Sequence, residues 1–194
     1  MKLDSRVVAD LALPFQPKAY LRIMPKAHVA TPLGMGFGQT RFAAPDNAFQ
    51  LIYLARNLAT AIAETVVRDR FEGKARRVLD ITEVEEWVVA EVSAIEPLTV
   101  VDLRTTGLLK LGVTTNAVRA KGQAAGRRLS KALYDHFAVD GVLYSSRLTS
   151  AECLAVYDRA VTPKLRSTAA ASLARHAGLI AALTAINVSV RGLT

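Results

Sequence analysis

The order of elements in this sequence predicts an α+β fold. Three observations carry that reading. Apolar runs of strand length are scattered between helical stretches, turn residues such as Glu96-Pro97 and Asp140-Gly141 separate neighbouring runs, and the regular strand-helix-strand alternation of a doubly wound sheet is missing. The sheets are therefore expected to be mixed and mainly antiparallel, with flanking helices. With 194 residues, no internal repeat and no low-complexity linker, the chain reads as one compact domain over residues 1–194.

Taken in order, Ala19 to Met24 has the character of a short strand, and the loop after it, Pro25 to Thr40, is dense in proline and glycine. Gly34, Gly36 and Gly38 resemble a phosphate-cradling pattern only superficially, because no helix opens behind them; a lid or cover is the simpler reading. The stretch Gln39 to Arg70 organises the rest. It places an arginine, Arg41, in an irregular lead-in, then a strand ending in Tyr53-Leu54-Ala55, then a helix whose apolar face is spelled by Leu58, Ala61, Ile62, Thr65 and Val66. Glu64 is the anomaly in that helix, since a carboxylate among apolar neighbours keeps its charge only with partners.

Further on, Ala75 to Ile81 is strand-like, and Trp87 to Ser93 with Leu98 to Leu103 is expected to form an antiparallel pair. Thr105 or Thr106 is a candidate cap for a short helix to Leu111. Asn116 is a candidate cap for a longer helical region to about Phe137, weakened by Gly122 and Gly126. Val142 to Tyr144 and Cys153 to Asp158 read as strands, Leu165 to Leu183 as an alanine-rich helix, and Asn187 to Arg191 as a closing strand.

Composition narrows the function classes. A hydrophobic fraction of 51% is high, but charges interrupt every long apolar run, and none reaches the roughly 18 residues of a membrane helix. Asp4 and Asp10 break up the N-terminal segment, so no signal peptide and no membrane association are expected. Cys153 is the only cysteine, which excludes an internal disulfide and a cysteine zinc cluster and fits a reducing cytoplasm. The net charge of +8 is concentrated between Asp102 and Asp135, where Arg104, Lys110, Arg119, Lys121, Arg127, Arg128 and Lys131 meet no acid. Such a stretch attracts phosphates, nucleic acid or an acidic protein, or is simply a solvated helix face. No aromatic residue interleaves it, so a single-strand stacking platform is not indicated.

The polar candidates are Arg22, Arg41, Tyr53, Glu64, and Ser146 with Arg147; each has an ordinary structural explanation when taken alone. In their order and surroundings they resemble the RES domain, a family named for an arginine, a glutamate and a serine. The resemblance is carried by Leu21-Arg22-Ile23, Thr40-Arg41-Phe42, Leu51 to Ala55 followed by Ala61 to Thr65, Leu98 to Leu103 with Gly107 and Leu111-Gly112, and Asp140 to Arg147 leading into Cys153 to Asp158. It spans about residues 19–190.

What the resemblance implies is a fold similar to ADP-ribosyltransferase toxins, acting as the toxin of a bacterial Xre-RES toxin-antitoxin pair. Its substrate would be NAD, and no metal is called for. Arg22, Glu64 and Ser146 would be catalytic, with Ser145 as the competing serine. Arg22, Arg41, Tyr53 and Ser146 would hold NAD. The acceptor of the ADP-ribosyl group (water, phosphate or protein) is left open, and the consequence would be NAD depletion and growth arrest. The partner would be a cognate Xre-type antitoxin that blocks the pocket and supplies the DNA binding, with homo-oligomers within that complex compatible. In that setting the basic stretch would meet the antitoxin or solubilise the domain. Two rivals stand beside this reading: a basic nucleic-acid-binding or nuclease toxin, against which His28, His136 and His176 lie far apart in sequence, and a catalytically silent RES-fold binding protein.

Overall fold

The computed structural model describes residues 1–119 and 121–192, and of Asn116 and Arg119 the backbone only. Asp4 opens α1 (Ser5–Leu11) by accepting from the backbone N–H groups of Arg6 and Val7. The chain continues through β1 (Ala12–Phe15) and β2 (Tyr20–Pro25), crosses a long loop, and returns as β3 (Leu51–Ala55), α2 (Leu58–Ile62) and a π-helical turn over Ala63–Val67. Then come β4 (Val78–Asp80), α3 (Ile81–Val84), β5 (Trp87–Ala94), β6 (Leu98–Asp102), α4 (Gly107–Lys110), α5 (Asn116–Arg119) and α6 (Ala124–His136). β7 (Gly141–Ser145), β8 (Glu152–Tyr157), α7 (Asp158–Lys164), β9 (Leu165–Ser167), β10 (Ala171–Ser172), α8 (Leu179–Ala185) and β11 (Ser189–Arg191) follow.

The main sheet is mixed and runs in the order β1-β6-β7-β8-β3-β2-β5-β10, with β9 also paired to β5. All its pairings are antiparallel except β6 with β7, whose parallel register needs the crossover that α4, α5 and α6 provide. β4 and β11 form a small parallel pair of their own. The α+β expectation holds.

A three-residue link between β5 and β6 dictates the shape of the sheet. These two strands lie five places apart in the order, about 24 Å across a flat sheet at the usual strand spacing. Ile95, Glu96 and Pro97 alone join them, and four Cα steps reach at most about 14 Å. The sheet must therefore curl until its two ends approach. One face of the curl packs on α1, α2, α6 and α8 through residues such as Leu11, Ile62, Leu129 and Leu183; the other closes over Leu54, Leu143, Leu154 and Val161. β8 is covered on both faces, and Cys153 to Tyr157 are all buried, which is why this strand reads as a continuous apolar run.

Four expectations are corrected. β5 and β6 do not pair with each other: at the corner Ala94 N–H donates to Pro17 and Ile95 N–H to Lys164, so the turn makes a bend in the chain and no hairpin. The helix expected over Leu165 to Leu183 is β9, β10, a 3-10 turn at Leu173–Arg175 and then α8. The edge of β5 recruits the first part of that segment, and strand pairing outweighs alanine's helix propensity. The helical region from Asn116 is divided into α5 and α6; the capping expected of the Asn116 side chain lies outside the described residues. The helix carrying Glu64 changes from α to π spacing one residue before the acid.

Candidate active site

β3 has two unequal edges. Against β8 every residue from Leu51 to Ala55 has a partner, whereas against β2 only Leu21 and Ala55 pair. Beyond that single rung the strands part, and the gap is a cavity of about 700 Å3. Its walls include the consecutive residues Arg22 to Pro25 of β2 and Leu51 to Tyr53 of β3. Neighbouring side chains on a strand point to opposite faces, so a cavity touching all of them lies in the plane of the sheet, in place of the missing rungs.

The long loop after β2 covers part of this opening. Gly36 bridges to Leu51, and Arg22 fastens the loop by donating from Nη1 to the Pro32 carbonyl (2.7 Å) and from Nη2 to the Gly34 carbonyl (2.6 Å). The lid reading of the glycine-rich loop is in keeping with this. Burial lowers the pKa of Arg22 to about 10, which leaves it charged at neutral pH.

Glu64 enters from the helical side. Asn57 caps α2 by accepting from Thr60 N–H, and the helix then widens: Arg68 N–H reaches back five residues to the Ala63 carbonyl (2.7 Å), and Arg68 itself sits at φ 45°. The Glu64 carboxylate lines the cavity and accepts from the Ser146 hydroxyl at 2.5 Å. Ser146 Oγ also accepts from Leu148 N–H (3.0 Å) and Thr149 N–H (3.1 Å), so its own proton is left for Glu64. Thr149 and Thr60 hydroxyls meet at 2.9 Å, a second tie between that loop and α2. Of the two serines it is Ser146, 3% exposed, that meets Glu64; Ser145 ends β7 opposite Glu152.

Arg41 also lines the cavity. Among the described residues its Nη1 is the one buried side-chain nitrogen or oxygen without a hydrogen-bond partner. Burial lowers its pKa, opposed by Tyr144 and Glu64. Tyr53 lines the cavity, but its hydroxyl is already engaged, donating to Thr40 Oγ1 (2.8 Å) and accepting from Phe42 N–H (2.9 Å); burial raises its pKa to about 12. Arg22, Arg41, Tyr53 and Glu64 thus share one cavity with Ser146 directly behind the acid.

Sequence reasoning passed over Tyr144 and Asp69, and named Lys121 only within the basic stretch; all three also line the cavity. Tyr144 was recoverable, since it precedes Ser146 by two residues on the same strand exit. Asp69 pairs with Arg147 at the mouth, a contact between distant segments that no local pattern announces. Arg22, Arg41, Arg68, Lys121 and Arg147 outnumber Glu64 and Asp69 in the lining, a balance suited to an anionic ligand. Of the three histidines His28 is in the lining; His136 ends α6, and His176 accepts from Gly178 N–H.

The basic stretch does not form a single patch. Arg104 is bound to Asp102 and Glu152, Lys121 to Glu72, and Lys131 to Asp46 and Asp135, while Arg127 donates to the Ala44 carbonyl. Arg128 is exposed, and the Arg119 side chain lies outside the described residues.

Comparison with known proteins adds the family. The sequence model described as "RES domain" matches residues 19–176. The chain belongs to the RES domain family. A curated relative, the probable toxin y4kH of Sinorhizobium fredii, is 38% identical over 101 residues, which are 51% of this chain and 79% of that protein. Among solved structures, a chain in the crystal structure of the M. tuberculosis MbcT-MbcA toxin-antitoxin complex superposes with a TM-score of 0.64 over 92% of this chain and 98% of its own length. At 19% identity that likeness speaks for the fold. This RES domain thus shares the curled mixed sheet seen in that complex. No helix among the described residues is long and apolar enough to cross a membrane.

Proposed function

We propose that this RES domain is the toxin of a toxin-antitoxin pair, that its cleft binds NAD, and that it breaks the bond between nicotinamide and ribose. The observation that carries the reading is the Ser146-oriented carboxylate of Glu64 facing a cavity that Arg41 also lines. When the glycosidic bond breaks, its electron pair leaves with nicotinamide and positive charge develops on the ribose ring. A fixed carboxylate hydrogen-bonded to a ribose hydroxyl stabilises that charge more than it stabilises bound NAD. The Ser146 proton holds one Glu64 oxygen, and the other is free to take the ribose hydroxyl.

Arginine suits the diphosphate because its planar fork binds two oxygens at once. Arg41 is the ready donor. Arg22 contributes either by exchanging its loop carbonyls for phosphate or by holding the loop over the ligand. The acceptor, whether water, phosphate or a protein, supplies the electron pair of the new bond and releases a proton. An Xre-type antitoxin would neutralise the toxin by covering the mouth, where Phe37, 59% exposed, and Leu148 offer apolar footing.

The test is release of nicotinamide from NAD, with and without inorganic phosphate, by the parent chain and by Glu64→Gln. The substitution keeps the shape and removes the charge, so turnover should fall about 100- to 1,000-fold. Phosphate-dependent release would identify phosphorolysis. Equal release by both proteins would remove Glu64 from the chemistry.

A further inference from the structure

The segment Thr40–Ala44 is irregular, yet it is gripped from two sides. From β3, the Tyr53 hydroxyl holds Thr40 Oγ1 and Phe42 N–H, the residues on either side of Arg41. From α6, the fully buried Ser130 donates from Oγ to the Phe42 carbonyl at 2.6 Å, and Arg127 donates from Nη2 to the Ala44 carbonyl at 2.9 Å. α6 also comes close enough at Gly126 that a Cβ there would stand 2.6 Å from the Arg41 carbonyl oxygen and 2.4 Å from that of Ala117. These contacts converge on the few residues around one side chain, whose guanidinium carries the unpartnered buried nitrogen.

We infer that Ser130 and Arg127 of α6, with the Tyr53 hydroxyl, are positioning residues for Arg41, clamping Thr40–Ala44 so that its guanidinium stays fixed in the cavity as a diphosphate donor. The inference rests on the reading of the cleft as an NAD site and deepens it. Part of the basic stretch then has a task different from meeting a partner: Arg127 spends its charge on the backbone beside Arg41. A donor whose backbone is held this way loses the freedom of that segment in folding and not on binding, and its contribution is to affinity for the phosphates, before and during the reaction alike. Tyr53 has the same part: its hydroxyl acts on NAD through Arg41, where the resemblance implies a direct hold on the ligand.

The experiment is a double-mutant cycle on nicotinamide release, run beside calorimetric titration with inorganic pyrophosphate. Ser130→Ala and Arg127→Ala should each raise KM about fivefold with kcat changed less than twofold, and Arg127→Lys should recover part of the loss. In an Arg41→Ala background neither should cost anything further, because the donor they position is gone. Equal losses with and without Arg41, or a fall in kcat at unchanged KM, would overturn the clamp and leave an ordinary structural role. If NAD is not turned over, pyrophosphate decides. Binding weakened by Arg41→Ala and by Ser130→Ala supports the clamp, and binding indifferent to Arg41 overturns it.

Discussion

The two edges of β3 make the instructive contrast in this molecule. Toward β8 the ladder is complete, the side chains are buried, and Leu54 faces Leu154, which in turn faces Leu143 on β7. Toward β2 the ladder stops after one rung, and a loop, two arginines and a cavity take the place of hydrogen bonds. One strand thus supplies rigidity on one side and room for chemistry on the other. The complete edge can hold the open one in shape because unpaired backbone is costly unless some other group answers it, as the Gly36 bridge to Leu51 does.

The contrast can be strained from either side. Leu154→Ala removes the centre of the closed edge and should cost about 2–5 kcal/mol by denaturant unfolding, while the folded fraction keeps its turnover. A loss of turnover per folded molecule would mean that the two edges are not separable. Ser146→Ala acts on the open edge. It frees Glu64 and leaves Leu148 and Thr149 N–H without their acceptor, so kcat should drop about 10- to 100-fold with a small change in melting temperature. Arg22→Ala releases the loop from Pro32 and Gly34, and proteolysis within residues 29–38 should quicken roughly tenfold. An unchanged cleavage rate would show the loop to be held by other contacts.

The smallest effect is expected at Cys153, on the closed edge but close to Glu64. Burial, with the Glu64 charge adding to it, raises its thiol pKa to about 12. Iodoacetamide at pH 8 should leave it unmodified in the folded chain and label it in urea. Because the folded thiol holds its proton more tightly than the unfolded one, its contribution to stability is complete below the unfolded pKa and is lost as pH rises through about 12. Cys153→Ala should flatten that alkaline slope.

The sequence is legible where burial is local. Strands covered on both faces, such as Cys153 to Tyr157, show themselves as apolar runs, and Glu64 is conspicuous because an acid in an apolar helix contradicts its surroundings. Arg22, Arg41, Tyr53, Glu64 and Ser146 can all be named from the chain; the first four line one cavity, and Ser146 stands behind Glu64. What stayed hidden depends on partners distant in sequence. The Ile95 to Pro97 link gives no sign of the strands it will separate, and Arg127 looks like any exposed cation until the Ala44 carbonyl comes to it. It also follows that Arg128, exposed and with no such contact among the described residues, is the cleaner position for testing whether α6 meets an antitoxin.

The π-turn beneath Glu64 has one more consequence. Between Ala63 and Arg68 the helix carries one residue more than an α-helical turn would use to close the same hydrogen bond. To anyone editing the gene, that surplus looks like a blemish that deleting a single codon would repair. Taken out ahead of the acid, that codon would leave a more regular helix with Glu64 turned about 100° around the axis, away from the serine waiting for it.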